Sequence, residues 1–142
     1  MKIDVLTIFP EMFSAINASI VARAKDAGLV DIRVTDIRGF SASKHKNTDD
    51  YPYGGGAGML MTAQPIADAI KAVTSEPYTG LRILMSPRGV PLTQALANTL
   101  KNQPALMILC GHYEGVDERA VEKYIDLEIS IGDYVLTGGE IP

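Results

Sequence analysis

Cysteine and histidine are scarce in this sequence, and tryptophan is absent. With one cysteine, Cys110, the chain cannot form an internal disulfide or a multi-cysteine zinc site. His45 and His112 are far apart in the sequence and do not have the spacing of a metal-binding pair. The sequence therefore predicts no metal site within this chain.

Long apolar runs and an excess of basic residues are also lacking. No apolar stretch approaches the roughly 20 residues of a membrane-spanning helix, and the amino terminus does not have the pattern of a secretory signal. We therefore expect a cytoplasmic protein without a membrane segment. The net charge is −4, whereas proteins that bind nucleic acid over a whole surface are usually basic. One basic stretch occurs, at 33–46, and a solvated charged face explains such a stretch more often than RNA binding does.

The composition, with 46% apolar and 21% charged residues, is typical of one globular domain. Alternation or short apolar runs predict strands over 2–9, 30–37, 81–85, 105–110 and 125–131. Helical spacing predicts one or two short helices that end at Gly28, and further helices over 64–73, 92–101 and 116–124. Strands that alternate with helices predict an α/β fold, in which helices flank a mostly parallel sheet.

Three of the predicted strands are followed by turn-forming segments that contain glycine. These segments are 86–89, 111–115 and 132–140. Ligands bind beyond the carboxyl ends of parallel strands, so we expect the three segments to line one pocket. The backbone of 132–136 offers donors and acceptors for the edge of an adenine ring, and Ile131, Tyr134 and Leu136 offer apolar walls. Simple tight turns are the alternative interpretation.

Several residues near these segments allow more than one interpretation. Cys110 ends a buried strand and is interpreted as a core residue rather than a nucleophile. His112 is expected at the surface, and a contact with the substrate is the alternative. Glu114 would accept hydrogen bonds from the ring N–H and amine of a guanine, or balance the charge of a sulfonium cofactor; a solvated glutamate is the alternative. The glycine-rich run 54–58 is either backbone that a ligand approaches closely or a mobile linker.

Five segments, in order along the whole chain, resemble those of a known family. They are 4–13 (DVLTIFPEMF), 50–59 (DYPYGGGAGM), 86–89 (SPRG), 110–119 (CGHYEGVDER) and 130–140 (SIGDYVLTGGE). In these segments the chain resembles the bacterial tRNA (guanine-37-N1)-methyltransferases. The resemblance implies transfer of a methyl group from S-adenosylmethionine to N1 of guanosine 37 in tRNA, next to the anticodon. It also implies a SPOUT-type fold with a C-terminal trefoil knot, and a homodimer whose active sites lie between the subunits.

The resemblance also implies which residues form the site. The implied cofactor-binding residues are Leu84, Ser86, Pro87, Gly111, Tyr113, Ile131, Gly132, Asp133, Tyr134, Val135, Leu136, Gly138 and Gly139. Glu114 is implied to contact the substrate guanine, and Mg²⁺ is implied as a further cofactor. The general base and a C-terminal tRNA-binding domain are expected beyond Pro142, so no catalytic residue is predicted within this chain. Residues 1–142 are accordingly predicted to form an S-adenosylmethionine-binding methyltransferase domain, and a catalytically silent cofactor-binding fragment is the alternative.

Overall fold

Five parallel strands form the central sheet of the structure, a computed structural model that describes residues 1–74 and 77–142. The described residues form seven strands in two sheets. In chain order they are β1 (Lys2–Thr7), β2 (Asp31–Asp36), β3 (Asp49–Asp50), β4 (Leu60–Met61), β5 (Leu81–Pro91), β6 (Ala105–Cys110) and β7 (Leu127–Ser130). The sheet order is β2-β1-β6-β5-β7, and β3 and β4 form a separate antiparallel pair. All pairings within the large sheet are parallel, which confirms the predicted α/β class.

Helices cover both faces of this sheet. They are α1 (Ser19–Asp26), α2 (Ala63–Val73), α3 (Gln94–Leu100) and α4 (Glu118–Tyr124), with 3₁₀ helices at Pro10–Asn17 and Ile37–Phe40. Ile70 of α2 and Val121 of α4 belong to one core cluster with Leu109 of β6. Leu96 of α3 packs in a second cluster with Leu106 of the same strand, because side chains alternate between the two faces. Within the described residues, no helix has the length and apolar character needed to span a membrane.

The end of α1 follows the expectation from the sequence. Gly28 has a φ of +68°, and its N–H donates to the carbonyl of Lys25 at 2.9 Å. The N–H of Leu29 donates to the carbonyl of Ala24 at 2.9 Å. This pair of bonds is the Schellman pattern, which requires the left-handed backbone that glycine adopts readily. The chain thereby turns out of α1 and enters β2.

The strand predicted over 81–85 is longer than expected, because β5 continues to Pro91. The prediction that it ends at residue 85 is wrong. Its pairing with β7 shifts register: Ile129 is the partner of both Met85 and Val90. Residues 86–89 therefore leave the ladder, and we call them the 86–89 excursion. The sequence near residue 85 does not reveal this arrangement, since the pairing of Val90 depends on a strand far along the chain.

Two helices begin later than predicted, because side chains cap them. The Thr93 hydroxyl accepts a hydrogen bond from the N–H of Leu96 at 3.2 Å, so α3 begins at Gln94 rather than at residue 92. The Asp117 carboxylate accepts one from the N–H of Arg119 at 3.0 Å, so α4 begins at Glu118 rather than at residue 116. Each cap satisfies a backbone donor that has no partner within its helix.

Candidate functional site

The three segments expected to share a pocket do line one cavity, of about 510 Å³. It lies at the carboxyl ends of β5, β6 and β7, where parallel sheets commonly bind ligands. All of the residues predicted to bind the cofactor line this cavity except Asp133, and Glu114 lines it as well. The lining also includes Arg88, Glu118 and Glu128, which were not among the predicted site residues, and His112, which was expected at the surface. The structure thus brings together segments that are separated by 21 residues (90–110) and by 16 residues (116–131) of sequence.

The 86–89 excursion forms one wall of the cavity. Ser86, Pro87 and Arg88 line it. Gly89 packs directly on the backbone of Glu128 and Ile129, where a β-carbon would overlap with main-chain atoms. A glycine is needed at this point because the two backbones approach too closely for any side chain.

The 111–115 segment forms a second wall, and β4 holds it in place. The N–H of Glu114 donates to the carbonyl of Met59, and the N–H of Met61 donates to the carbonyl of Gly115, each at 2.9 Å. This arrangement brings Gly58 against the Glu114 carboxylate, so that any side chain at position 58 would overlap with it. At Gly58, the end of the glycine-rich run, the backbone is therefore in close contact with another part of the protein.

The segment 131–140 forms the third wall and crosses the carboxyl edge of the sheet. The N–H of Gly139 donates to the carbonyl of Gly111 at 2.7 Å. Glu140 then reaches the end of β1, where its carboxylate accepts a hydrogen bond from the Thr7 hydroxyl at 2.8 Å. The chain therefore runs from the edge strand β7, past β6, to β1. In the sequence, Glu140 is only the last residue of the segment 130–140. A charged residue directly after two glycines was the one signal that it could have a structural role.

His112 was expected at the surface, but its side chain is only 21% exposed and lines the cavity. Its ring packs edge-on against Phe9, at 4.9 Å between centroids, and against Tyr113, at 5.0 Å. Its Nδ1 lies 3.5 Å from a carboxylate oxygen of Glu140. The sequence places His112 after a buried strand but does not predict which residues its side chain contacts, because Phe9 and Glu140 come from distant parts of the chain.

Cys110 lies in the core, next to this cavity wall. The residue is buried, and burial raises the pKa of its thiol to about 12, with a further contribution from Glu140. Since the thiolate rather than the thiol is the nucleophile, Cys110 is not suited to nucleophilic chemistry near neutral pH. This agrees with its interpretation as a core residue.

The charged lining of the cavity is net negative. It contains the carboxylates of Glu114, Glu118 and Glu128 and one guanidinium, that of Arg88. Hydrogen bonds from Arg88 lower the pKa of Glu128, and the same contacts raise the pKa of Arg88. Arg88 and Glu128 are therefore both charged at neutral pH. The excess of carboxylates in the lining favours a ligand that carries positive charge.

The chain is similar in sequence to known proteins along its whole length. The family model described as "tRNA (Guanine-1)-methyltransferase TrmD" matches residues 1–142. A tRNA (guanine-N(1)-)-methyltransferase of Clostridium botulinum (strain Hall) is 56% identical over 141 residues, which are 99% of this chain and 58% of the relative. Relatives with the same name from Clostridium novyi (strain NT) and Clostridium perfringens (strain SM101) are 56% and 54% identical over 99% of this chain. The chain spans 58% and 59% of the length of these two relatives.

Proposed function

The chain belongs to the tRNA (guanine-1)-methyltransferase family, and we propose that it forms the cofactor-binding part of an enzyme that methylates N1 of guanosine 37 in tRNA. The methyl donor in this proposal is S-adenosylmethionine. The observation that carries the proposal is the convergence of the 86–89 excursion, 111–115 and 131–140 on one net-negative cavity. Its volume of about 510 Å³ is within the range of small-molecule sites.

The adenine ring of the cofactor would lie against the backbone of 132–136. Ile131, Tyr134 and Leu136 line the cavity at this point and would provide its apolar walls. The sulfonium carries a positive charge, which the carboxylates of the lining would stabilise. When the methyl group leaves, the sulfonium becomes a neutral thioether, and this electrostatic attraction is lost. Asp133 was predicted to bind the cofactor but does not line the cavity, so we leave it out of the proposed site.

Glu114 is the residue of this chain that we propose for contact with the target base. Its carboxylate lines the cavity and lies beside Gly58, and it would accept hydrogen bonds from the N1–H and the amine of guanine. The target guanine must first leave its stack of neighbouring bases in the tRNA. The N1 proton must pass to a general base as the methyl group arrives. We assign no general base among the residues of this chain.

We propose further that the segment after β7 completes a trefoil knot and that two copies of the chain associate there. The contacts of Gly139 with Gly111 and of Glu140 with Thr7 support a crossing of the chain at this edge. Apolar side chains that remain exposed around the cavity, Tyr134, Val135 and Ile141, support a contact with a second subunit. A tRNA substrate would also agree with a cytoplasmic location.

Mg²⁺ would fit this site only if the substrate and water supplied most of its coordinating oxygens. The described residues contain no group of three or more His, Cys, Asp or Glu side chains that could hold a metal ion. An ion near Glu114 would therefore complete its coordination with oxygens of the substrate and with water, which is a common arrangement for Mg²⁺.

The proposal is tested by calorimetric binding of S-adenosylmethionine to the 142-residue chain, followed by a methyl-transfer assay. The substrate is a tRNA with guanosine at position 37, and the control is the same tRNA with adenosine there. Binding with transfer to the guanosine tRNA alone is the expected result for the full proposal. Binding without transfer favours a catalytically silent cofactor-binding fragment. If no cofactor binds, the assignment of the cavity is wrong.

A further inference from the structure

Arg88 connects three parts of the chain at the edge of the cavity. Its Nε and Nη2 atoms donate to the two carboxylate oxygens of Glu128, each at 2.9 Å. Nη2 also lies 2.9 Å and 3.0 Å from the two oxygens of Glu118. Arg88 belongs to the 86–89 excursion, Glu128 to β7, and Glu118 is the first residue of α4. One guanidinium therefore holds the excursion to a strand and to a helix.

The pair with Glu128 has the geometry of a strong contact. Two parallel N–H bonds from one guanidinium to one carboxylate add both energy and directional specificity. Glu128 has a side-chain exposure of 22%, whereas Glu118 has 55%, so solvent weakens the second pair more than the first. Because Nε and Nη2 are engaged by these two carboxylates, Arg88 is held where it can act on the cavity through the backbone of the excursion.

The excursion depends on such contacts because it has left the β-ladder. β5 pairs with β7 at Met85 and again at Val90, and both residues are paired to Ile129. The residues between them include Ser86 and Pro87, which line the cavity. A segment without ladder hydrogen bonds is more easily displaced than the strands on either side of it.

We propose that Arg88 is a positioning residue for the cavity: its ion pairs with Glu128 and Glu118 fix the 86–89 excursion and thereby the wall that Ser86 and Pro87 present to a ligand. This inference rests on the proposed function in that the ligand is taken to be S-adenosylmethionine.

Two roles for Arg88 predict opposite results when its charge is removed. If Arg88 affected the ligand only through its charge, Arg88→Met would leave the lining more negative and would strengthen binding of the sulfonium. If Arg88 holds the wall, the same change would weaken binding despite the more negative lining. The demethylated product, S-adenosylhomocysteine, has no sulfonium charge, so loss of the wall should weaken both ligands by a similar factor.

The experiment measures the Kd of both ligands for the unmodified chain and for Arg88→Met, together with the melting temperature. We expect each Kd to rise about 5-fold, because Arg88 is 57% exposed and solvent screens its ion pairs, with the ratio of the two Kd values changed less than 3-fold. The matched control is Arg119→Met, since Arg119 pairs with Asp117 at 2.6 Å at the start of the same helix and neither residue lines the cavity. The control should leave both Kd values unchanged. Unchanged or tighter binding of S-adenosylmethionine to folded Arg88→Met would overturn the proposal.

Glu128→Gln provides a second variant in case Arg88→Met does not fold. Because Glu128 receives the bidentate pair, its substitution should weaken S-adenosylhomocysteine more than Glu118→Gln does; equal effects would contradict the geometry described here. If the unmodified chain binds neither ligand, the proposed function fails, but amide hydrogen exchange still tests the inference. Exchange at Val90, where the ladder resumes, and at Leu92, whose N–H donates to the carbonyl of Ser130, should be faster in Arg88→Met than in Arg119→Met, and equal rates would overturn the positioning role.

Discussion

The hydroxyl of Thr7 donates a hydrogen bond to the carboxylate of Glu140 at 2.8 Å, although 133 positions separate the two residues. Thr7 is fully buried at the end of β1, and the Glu140 side chain is 2% exposed. The same hydroxyl oxygen accepts a hydrogen bond from the N–H of Phe9 at 2.9 Å. One hydroxyl thus satisfies a buried carboxylate and a backbone donor, and it joins the start of the chain to the segment that crosses the sheet edge.

Thr7→Val should destabilise the fold by about 2 kcal/mol, because a buried acceptor and a buried donor lose their partner while the side-chain volume is kept. Urea denaturation measures this as a lower free energy of unfolding. The control is Thr99→Val, which removes a hydroxyl that donates to the carbonyl of Ala95 in an exposed part of α3 and should cost less than about 0.5 kcal/mol. Equal losses in the two variants would show that the Thr7–Glu140 contact contributes little.

Gly139→Ala should loosen the crossing segment from the end of β6. A β-carbon there would lie 2.9 Å from Cα of Cys110 and 3.0 Å from the amide nitrogen of Gly111, and these backbone atoms cannot move aside independently. We expect a loss of about 2 kcal/mol in the free energy of unfolding and weaker cofactor binding. Gly39→Ala is the control, since a β-carbon at Gly39 meets no atom within 4 Å. The prediction is wrong if both variants melt at the same temperature.

Gly132→Val should reduce the affinity for S-adenosylmethionine. A side chain at position 132 would overlap with the ring of Tyr134, and it would displace that ring from its place in the cavity lining. We expect the Kd measured by calorimetry to rise at least about 10-fold, the equivalent of about 1.4 kcal/mol. An unchanged Kd in a folded variant would remove the adenine from the 132–136 segment.

Cys110 should react very slowly with thiol reagents in the native chain. With a pKa of about 12, the thiolate is about 1 in 10,000 of the molecules at pH 8. Burial blocks access to it as well. Colour development with an aromatic disulfide reagent should therefore be at least about 100-fold slower than for the urea-unfolded chain, in which the thiol has an ordinary pKa. Similar rates in both states would contradict the buried position of Cys110.

Local patterns predicted most of the elements, because each pattern reports on residues close together in the chain. The apolar run 105–110 predicted β6 with its observed bounds, and the helix expected over 64–73 is observed as Ala63–Val73. The three glycine-containing segments were predicted to meet, since the carboxyl ends of parallel strands share an edge. The prediction for the structure of 86–89 was wrong. A turn was expected after residue 85, whereas the structure has an excursion within a longer strand.

The sequence by itself determined the α/β class, the parallel sheet and the edge at which the candidate site lies, because periodicity and the positions of glycines depend on neighbouring residues. Only the tertiary structure decided that Arg88 pairs with Glu118 and Glu128, which are 30 and 40 positions away. It also decided that Glu140 is buried against Thr7. Such contacts depend on the register of β7 against β5 and on the crossing of the sheet edge, which are properties of the packed chain and leave no periodic signal in the sequence.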